Sequence, residues 1–361
     1  MRESLSFRSL GREDLASCKP VRVTEVVIAH DYLTQRGGAE RVVLALLEAF
    51  PGSRVVTSVF APDRTFPEFR GFEIETILPA AGAFGRDARF AFPLLAPAFS
   101  RHLVDDADVV VCSSSGWAHG IGATAPKVVY CHTPARWLYL TGDYVAGHGP
   151  VVRAVAAAAR APLRRWDARA AASAASYVAN STVVRDRIAQ VYGRAAEVVH
   201  PPAALDPDGL QRPVAVGDAP FLLTVGRPRG YKNLAVVEAA ARAAGVPLIA
   251  ATGGLDDAQL RWLYANCRGL VAAAHEDFGL TPVEAMSFGK PVLALRAGGY
   301  LDSVAEGSTG VFFDRLDVGG LAEALATFDE TAFDPAVIKR HAELFSRERF
   351  ASRMREIVAA A

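Results

Sequence analysis

The chain has 361 residues, which as a prior is about two domains of ~100–200 residues each. Hydrophobic residues make up 51% and charged residues 22%, so a sizeable core is within reach and wholesale disorder is excluded. Lys+Arg and Asp+Glu both number 39, and a net charge of +0 argues against a nucleic-acid binder that works by bulk electrostatics.

Residues 1–21 read as a charged, polar leader without an apolar signal core. Glu25–Ala29 is a short apolar run, expected as a buried strand, and it ends at His30-Asp31. A loop with Gly37-Gly38 leads into Ala39–Phe50, whose apolar residues fall at helical spacing until Pro51-Gly52 stops them. Arg54–Phe60, Asp108–Cys112 and Lys127–Cys131 are further β-rich runs. Arg153–Ala175 is an Ala/Arg-rich helical stretch, Tyr177–Ala179 a strand, and Ser181 opens another helix. A Pro/Gly/Asp-rich stretch reaches Pro220, and the pattern then restarts. Strands are expected at Phe221–Val225, Pro247–Ala251, Leu270–Ala273, Val292–Leu295 and Val311–Phe313, with helices at Leu234–Ala244, Ala258–Tyr264 and Pro282–Phe288 and a helical end. Short strands alternating with helices imply doubly wound parallel sheets. Two such units imply two α/β domains facing a cleft, with ligands outside the carboxyl ends of the strands. No run of ~18 apolar residues is long enough to span a bilayer.

The most informative segment is His275–Met286, HEDFGLTPVEAM. Thr281 looks like an N-cap, Pro282 suits a first helical position and Glu284 follows three residues after the cap, so one reading is a capping box. The other is a ligand site. The N–H groups of Gly279 and Leu280 stand at a helix start, ready for an anion, between the carboxylates of Glu276 and Glu284. A second segment, Val225–Asn233, sets Arg227 and Lys232 in a strand-to-helix loop, two cations suited to a diphosphate or else to a solvated loop. In the first domain, Gly37-Gly38 allows close backbone approach, with no GxGxxG fingerprint. Cys112–Gly120 and Tyr130–Trp137 each follow a strand. A Cys–His nucleophile from Cys131-His132 or Cys112 and His119 is disfavoured, because neighbours on a strand point to opposite faces. The four cysteines, Cys18, Cys112, Cys131 and Cys267, form no CxxC, which fits a reducing cytosol and no zinc site or disulfide framework.

Taken whole, the HEDFGLTPVEAM string resembles the E-x7-E signature of the retaining glycosyltransferases of family 4, which have the GT-B fold. The resemblance covers roughly Val23 to Arg353. It implies that Glu284 binds the ribose hydroxyls of a nucleotide sugar, that Glu276 lies by the transferred sugar, and that the Phe278, Gly279 and Leu280 backbone meets phosphate. It implies that Arg227 and Lys232 neutralise the diphosphate and that Gly37 and Gly38 line the cleft. SSSGWAHG followed by YCHTPARW resembles a subgroup rich in mannosyltransferases of surface polysaccharide assembly, in which the residue matching His132 contacts the transferred sugar. The expected organisation is a leader at 1–21, an N-terminal Rossmann-like acceptor domain at 22–202 and a linker at 203–219. A C-terminal nucleotide-sugar domain at 220–335 and a closing helix at 336–361 that returns to the N-terminal domain complete it. Only Gly253–Asp256 stands where the family has an extra helix and strand, so the C-terminal domain is shortened, and Asp302 replaces the commoner Glu.

The expectation is therefore a glycosyltransferase that moves a sugar, mannose from GDP-mannose first, to a glycan, lipid-linked or small-molecule acceptor. No metal and no resident cofactor are expected, because cations and a helix start supply the charge and no DxD motif follows a strand. The alternatives are a non-catalytic sugar-nucleotide binder of the same fold and a nucleotide-sugar epimerase. The expected location is the cytoplasm, with Arg153–Arg169 a candidate contact for anionic lipid at the inner membrane face, or else a solvated helix face.

Overall fold

The computed structural model describes residues 25–78, 92–139, 150–226 and 232–361. The leader expected at 1–21, and Arg227, lie outside the described residues. In chain order the first half contains β1 (Val26–His30), β2 (Arg54–Thr57), β3 (Ile74–Thr76), β4 (Leu103–Val104), β5 (Val109–Ser114), β6 (Gly122–Ala123), β7 (Lys127–Cys131), β8 (Ser176–Ala179) and β9 (Glu197–Val198). Among the described residues, seven of these make one sheet in the order β3-β2-β1-β5-β7-β8-β9, and every pairing in it is parallel. β4 and β6 pair with each other apart from it.

The near-continuous Val/Ile runs belong to strands buried on both faces. Their two-residue period divides the core in two. Val26, Ile28, Val109, Val111, Val128 and Tyr130 face helix Gly38–Ala49, whereas Val27, Ala29, Val110, Cys112, Val129 and Cys131 face the other side, with Leu95, Phe99 and Trp117. The last helix, Arg347–Ala359, contributes Phe350, Met354 and Val358 to the first of these cores. Those three are spaced by four, one stripe of a helix, and full burial of each side chain stabilises by roughly 1.5–3 kcal/mol. Phe350 meets Tyr130 edge-on, with ring centroids 5.7 Å apart.

The second half is built on β10 (Leu222–Val225), β11 (Leu248–Ala251), β12 (Gly269–Ala272), β13 (Val292–Leu295) and β14 (Gly310–Phe313). Its sheet runs β11-β10-β12-β13-β14, again all parallel. Only residues 252–256 separate β11 from helix Asp257–Asn266. That helix starts with a capping box, in which Asp256 accepts from the Gln259 N–H and the Gln259 side chain accepts from the Asp256 N–H. In each sheet the strand order reverses beside the first strand, between β1 and β5 and between β10 and β12. Crevices at the carboxyl ends of such reversals are where ligands enter open α/β sheets.

Candidate active site

The crevice of the second sheet is lined by Thr224, Val225 and Gly226 from the end of β10, and by Ala272–Ala274, which carry on from β12. Lys232, Thr281 and Tyr300 close it. Lys232 of this crevice pairs with Glu276, and both side chains are mostly covered.

The helix after Glu276 starts differently from the sequence expectation. It runs Leu280–Ser287, and its N-cap is Gly279, not Thr281. Gly279 has φ +84°, and a Cβ there would meet the Tyr300 ring. A glycine therefore lets the chain turn early, which puts Thr281 and Pro282 inside the first turn. The Glu284 carboxylate does not reach back to a cap. It is buried, and Oε2 accepts a hydrogen bond of 2.8 Å from the Tyr264 hydroxyl. The capping-box reading is thus corrected. Burial raises the Glu284 carboxyl above its usual range, opposed by the Tyr264 hydrogen bond and then by the charges of Arg41 and Lys232. A buried carboxylate with one protein hydrogen bond keeps lone pairs for a ligand.

Arg41 comes from the other domain. Its Nη2 donates to both carboxylate oxygens of Asp257, at 2.7 and 2.6 Å, and its guanidinium lies 3.8 Å over the Phe66 ring. Gly38, one turn earlier, faces the start of helix Leu280–Ser287: a Cβ there would stand 3.2 Å from Leu280 Cδ1. The Gly37-Gly38 loop and the Gly279-Leu280 turn are thereby brought face to face.

Asp277 ties the halves together. Its Oδ1 takes Arg187 Nη1 at 2.6 Å and Arg136 Nη2 at 2.7 Å. The same Arg187 nitrogen donates to Thr133 Oγ1, next to His132, at 2.6 Å. The Ser181 hydroxyl donates to the Asp277 carbonyl, and the Thr182 N–H donates to Asp302 Oδ2 at 2.6 Å. Phe278 is buried and stacks on His200 with centroids 5.3 Å apart. Arg187 thus links Thr133, next to His132, to Asp277, next to Glu276.

His132 itself is buried at the carboxyl end of β7, where Nε2 lies 2.8 Å from Ser113 Oγ and Asn180 Nδ2 donates to its carbonyl at 3.0 Å. Burial, reinforced by His30, pushes its pKa down to about 3, so the ring is neutral at working pH. His119 pairs with the fully buried Asp167 at 3.1 Å, and Asp31 accepts from the N–H groups of Ser115, Trp117 and Ala118, so both hold the loop after β5 in place. Burial pushes the Cys112 thiol up to about 12 and Cys131 well above its usual value, which removes the thiolate that a Cys–His nucleophile needs. Native protein should therefore leave Cys112, Cys131 and Cys267 unalkylated by iodoacetamide until denaturant is added. Rapid labelling of Cys112 or Cys131 in the folded chain would contradict this.

Residues 36–207 match the family described as Glycosyltransferase Family 4, and residues 248–342 match Glycosyl transferases group 1. The first match covers the helices and strands of the first sheet from the Gly37-Gly38 loop onward, and the second holds both Glu276 and Glu284. The chain belongs to the group 1/family 4 glycosyltransferases. Curated relatives of this family match it in part. Sucrose synthase of Acidithiobacillus caldus is 38% identical over 127 residues, 28% of this chain and 16% of the relative. Alpha-1,3/1,6-mannosyltransferase ALG2 of Dictyostelium discoideum is 44% identical over 57 residues, 16% of this chain and 14% of the relative. D-inositol 3-phosphate glycosyltransferase of Corynebacterium glutamicum is 43% identical over 82 residues, 21% of this chain and 19% of the relative. The matches thus span less than a quarter of these relatives' lengths. Anabaena HepE, crystallised with UDP and glucose, superposes with a TM-score of 0.68 at 18% identity, covering 93% of this chain and 100% of that one. Sucrose-phosphate synthase from Thermosynechococcus elongatus gives 0.60 at 17% identity, with 93% and 100% covered. These likenesses show the GT-B fold.

Of the expected site, Glu276, Lys232, Phe278, Gly279, Leu280 and Glu284 belong to the second domain and Gly37, Gly38 and His132 to the first. Three residues escaped the sequence reading. Tyr264 sits in an ordinary amphipathic helix, Arg187 among several arginines, and Ser113 in a Ser run. Nothing in local spacing distinguishes them.

Proposed function

We propose that this chain is a retaining transferase that moves a hexose from a nucleotide sugar to a hydroxyl acceptor. The observation that supports it most is that Lys232 and Thr281, the latter in the first turn of helix Leu280–Ser287, line one crevice while Lys232 pairs with Glu276 and Glu284 of the same helix is buried. Transfer leaves negative charge on the departing diphosphate. Lys232, joined by Arg227, and the Gly279 and Leu280 N–H groups stabilise that charge as it develops. Glu284 binds the ribose hydroxyls, and Glu276 and His132 bracket the transferred sugar. The acceptor, a glycan, lipid-linked sugar or small molecule, enters from the first domain. No helix of the described residues is long and apolar enough to cross a membrane. In this reading the chain works in the cytoplasm, where nucleotide sugars are made, at the inner membrane face when its acceptor is lipid-linked.

GDP-mannose is the first donor to test, on the strength of the SSSG and YCHTPARW strings. UDP-glucose is the second, because HepE was crystallised with it. Calorimetry with GDP-mannose, UDP-glucose and TDP-glucose decides among them, and tight binding of a UDP- or TDP-sugar with no response to GDP-mannose rejects mannose. Transfer should proceed undiminished after EDTA treatment, because protein cations and N–H groups supply the countercharge. Activity that vanishes with chelator and returns with Mg²⁺ would reject metal independence.

A further inference from the structure

β1, β5 and β7 are adjacent, and their two-residue period places His30, Ser113 and His132 on the same face as Ile28, Val111 and Tyr130. The register pairs His30 with Ser113. All three side chains are buried, and they form a chain of contacts. His30 Nδ1 lies 3.0 Å from the Ser113 carbonyl and 3.1 Å from Ser113 Oγ, and Ser113 Oγ lies 2.8 Å from His132 Nε2.

The protons along this chain follow from which atoms can donate. A carbonyl oxygen only accepts, so His30 Nδ1 must carry a hydrogen, which it shares between the Ser113 carbonyl and Oγ. Ser113 Oγ then accepts from His30 and has one hydrogen of its own to place. His132 Nε2 is the acceptor within reach. If Nε2 carried the proton instead, two N–H groups would converge on a fully buried hydroxyl whose hydrogen had no acceptor in the chain, at the cost of an unsatisfied buried donor.

We infer that Ser113 and His30 are positioning residues that lock His132 in the Nδ1–H tautomer. His132 therefore meets the substrate as a neutral donor through Nδ1. The clause about substrate rests on the transfer reading; the tautomer does not. The low pKa of the ring agrees, since a second proton would put N–H against His30 and Ser113, and the edge-on Tyr130 ring, 5.4 Å away, offers no countercharge. Such a donor recognises an oxygen lone pair of the transferred sugar and does not shuttle protons.

Two measurements test this. In a long-range ¹H–¹⁵N spectrum of histidine-labelled protein at pH 7, the His132 signal, identified by its loss in His132→Asn, should show a protonated Nδ1 and a bare Nε2. Ser113→Ala should average the two nitrogens while circular dichroism stays native. A proton on Nε2, protonation of both nitrogens, or an unchanged Ser113→Ala spectrum would overturn the lock. In turnover, the Asn amide nitrogen mimics Nδ1 and the Gln amide nitrogen mimics Nε2. His132→Asn should therefore exceed His132→Gln in kcat/KM by about 10-fold or more, the scale of one hydrogen bond. Equal or reversed activities would sink the Nδ1 assignment. A wild-type chain that turns over no nucleotide sugar sinks the transfer reading, and the spectrum still decides the tautomer.

Discussion

Lys232→Ala is expected to lower kcat/KM for the confirmed donor by about 2–5 kcal/mol of transition-state stabilisation, the range for truncating one partner of a buried charged pair. Two losses combine. The departing diphosphate loses a side-chain cation, and Glu276 loses the ammonium it pairs with. Lys232→Arg keeps the charge and should recover part of the rate, although a planar fork replaces a point charge. Wild-type turnover by Lys232→Ala would remove Lys232 from the diphosphate site.

Glu284→Gln is expected to weaken donor binding by about 10- to 100-fold, corresponding to loss of a hydrogen bond to a charged group at roughly 1.5–3 kcal/mol. Stability should move the other way. Burial raises the Glu284 carboxyl above its ordinary 4.5, so the folded chain holds that proton more tightly than the unfolded chain does. The stability contributed by this group is complete below that ordinary value and is lost as pH rises through the raised one. Glutamine never ionises and still offers an oxygen to the Tyr264 hydroxyl. Urea melts at neutral pH should therefore show Glu284→Gln at least as stable as wild type, with a flatter pH dependence above 4.5. A destabilised variant that binds donor normally would mean that Glu284 holds the fold and not the ribose.

Much of the architecture is legible in the chain because burial imposes periods on it. Doubly buried strands read as Val/Ile runs, and β7 and β13 and the Leu234–Ala244 helix occupy the residues expected. The contiguous HEDFGLTPVEAM string lies within the matched group 1 segment, and its Gly279-Leu280 turn does open a helix, because that turn depends on the local order of the chain. The start of that helix was misjudged, since Thr281 and Glu284 satisfy the local rule for a capping box while packing against Tyr300 and Tyr264 selects Gly279 and burial. Tyr264 is 20 residues from Glu284, Arg187 is 90 from Asp277, and Arg41 is 216 from Asp257. Such partners meet only when the sheets fold and the domains close. Hydrogen-bond geometry, and with it the charge and tautomer of each site group, is set by those distant contacts and leaves no periodic trace in the sequence.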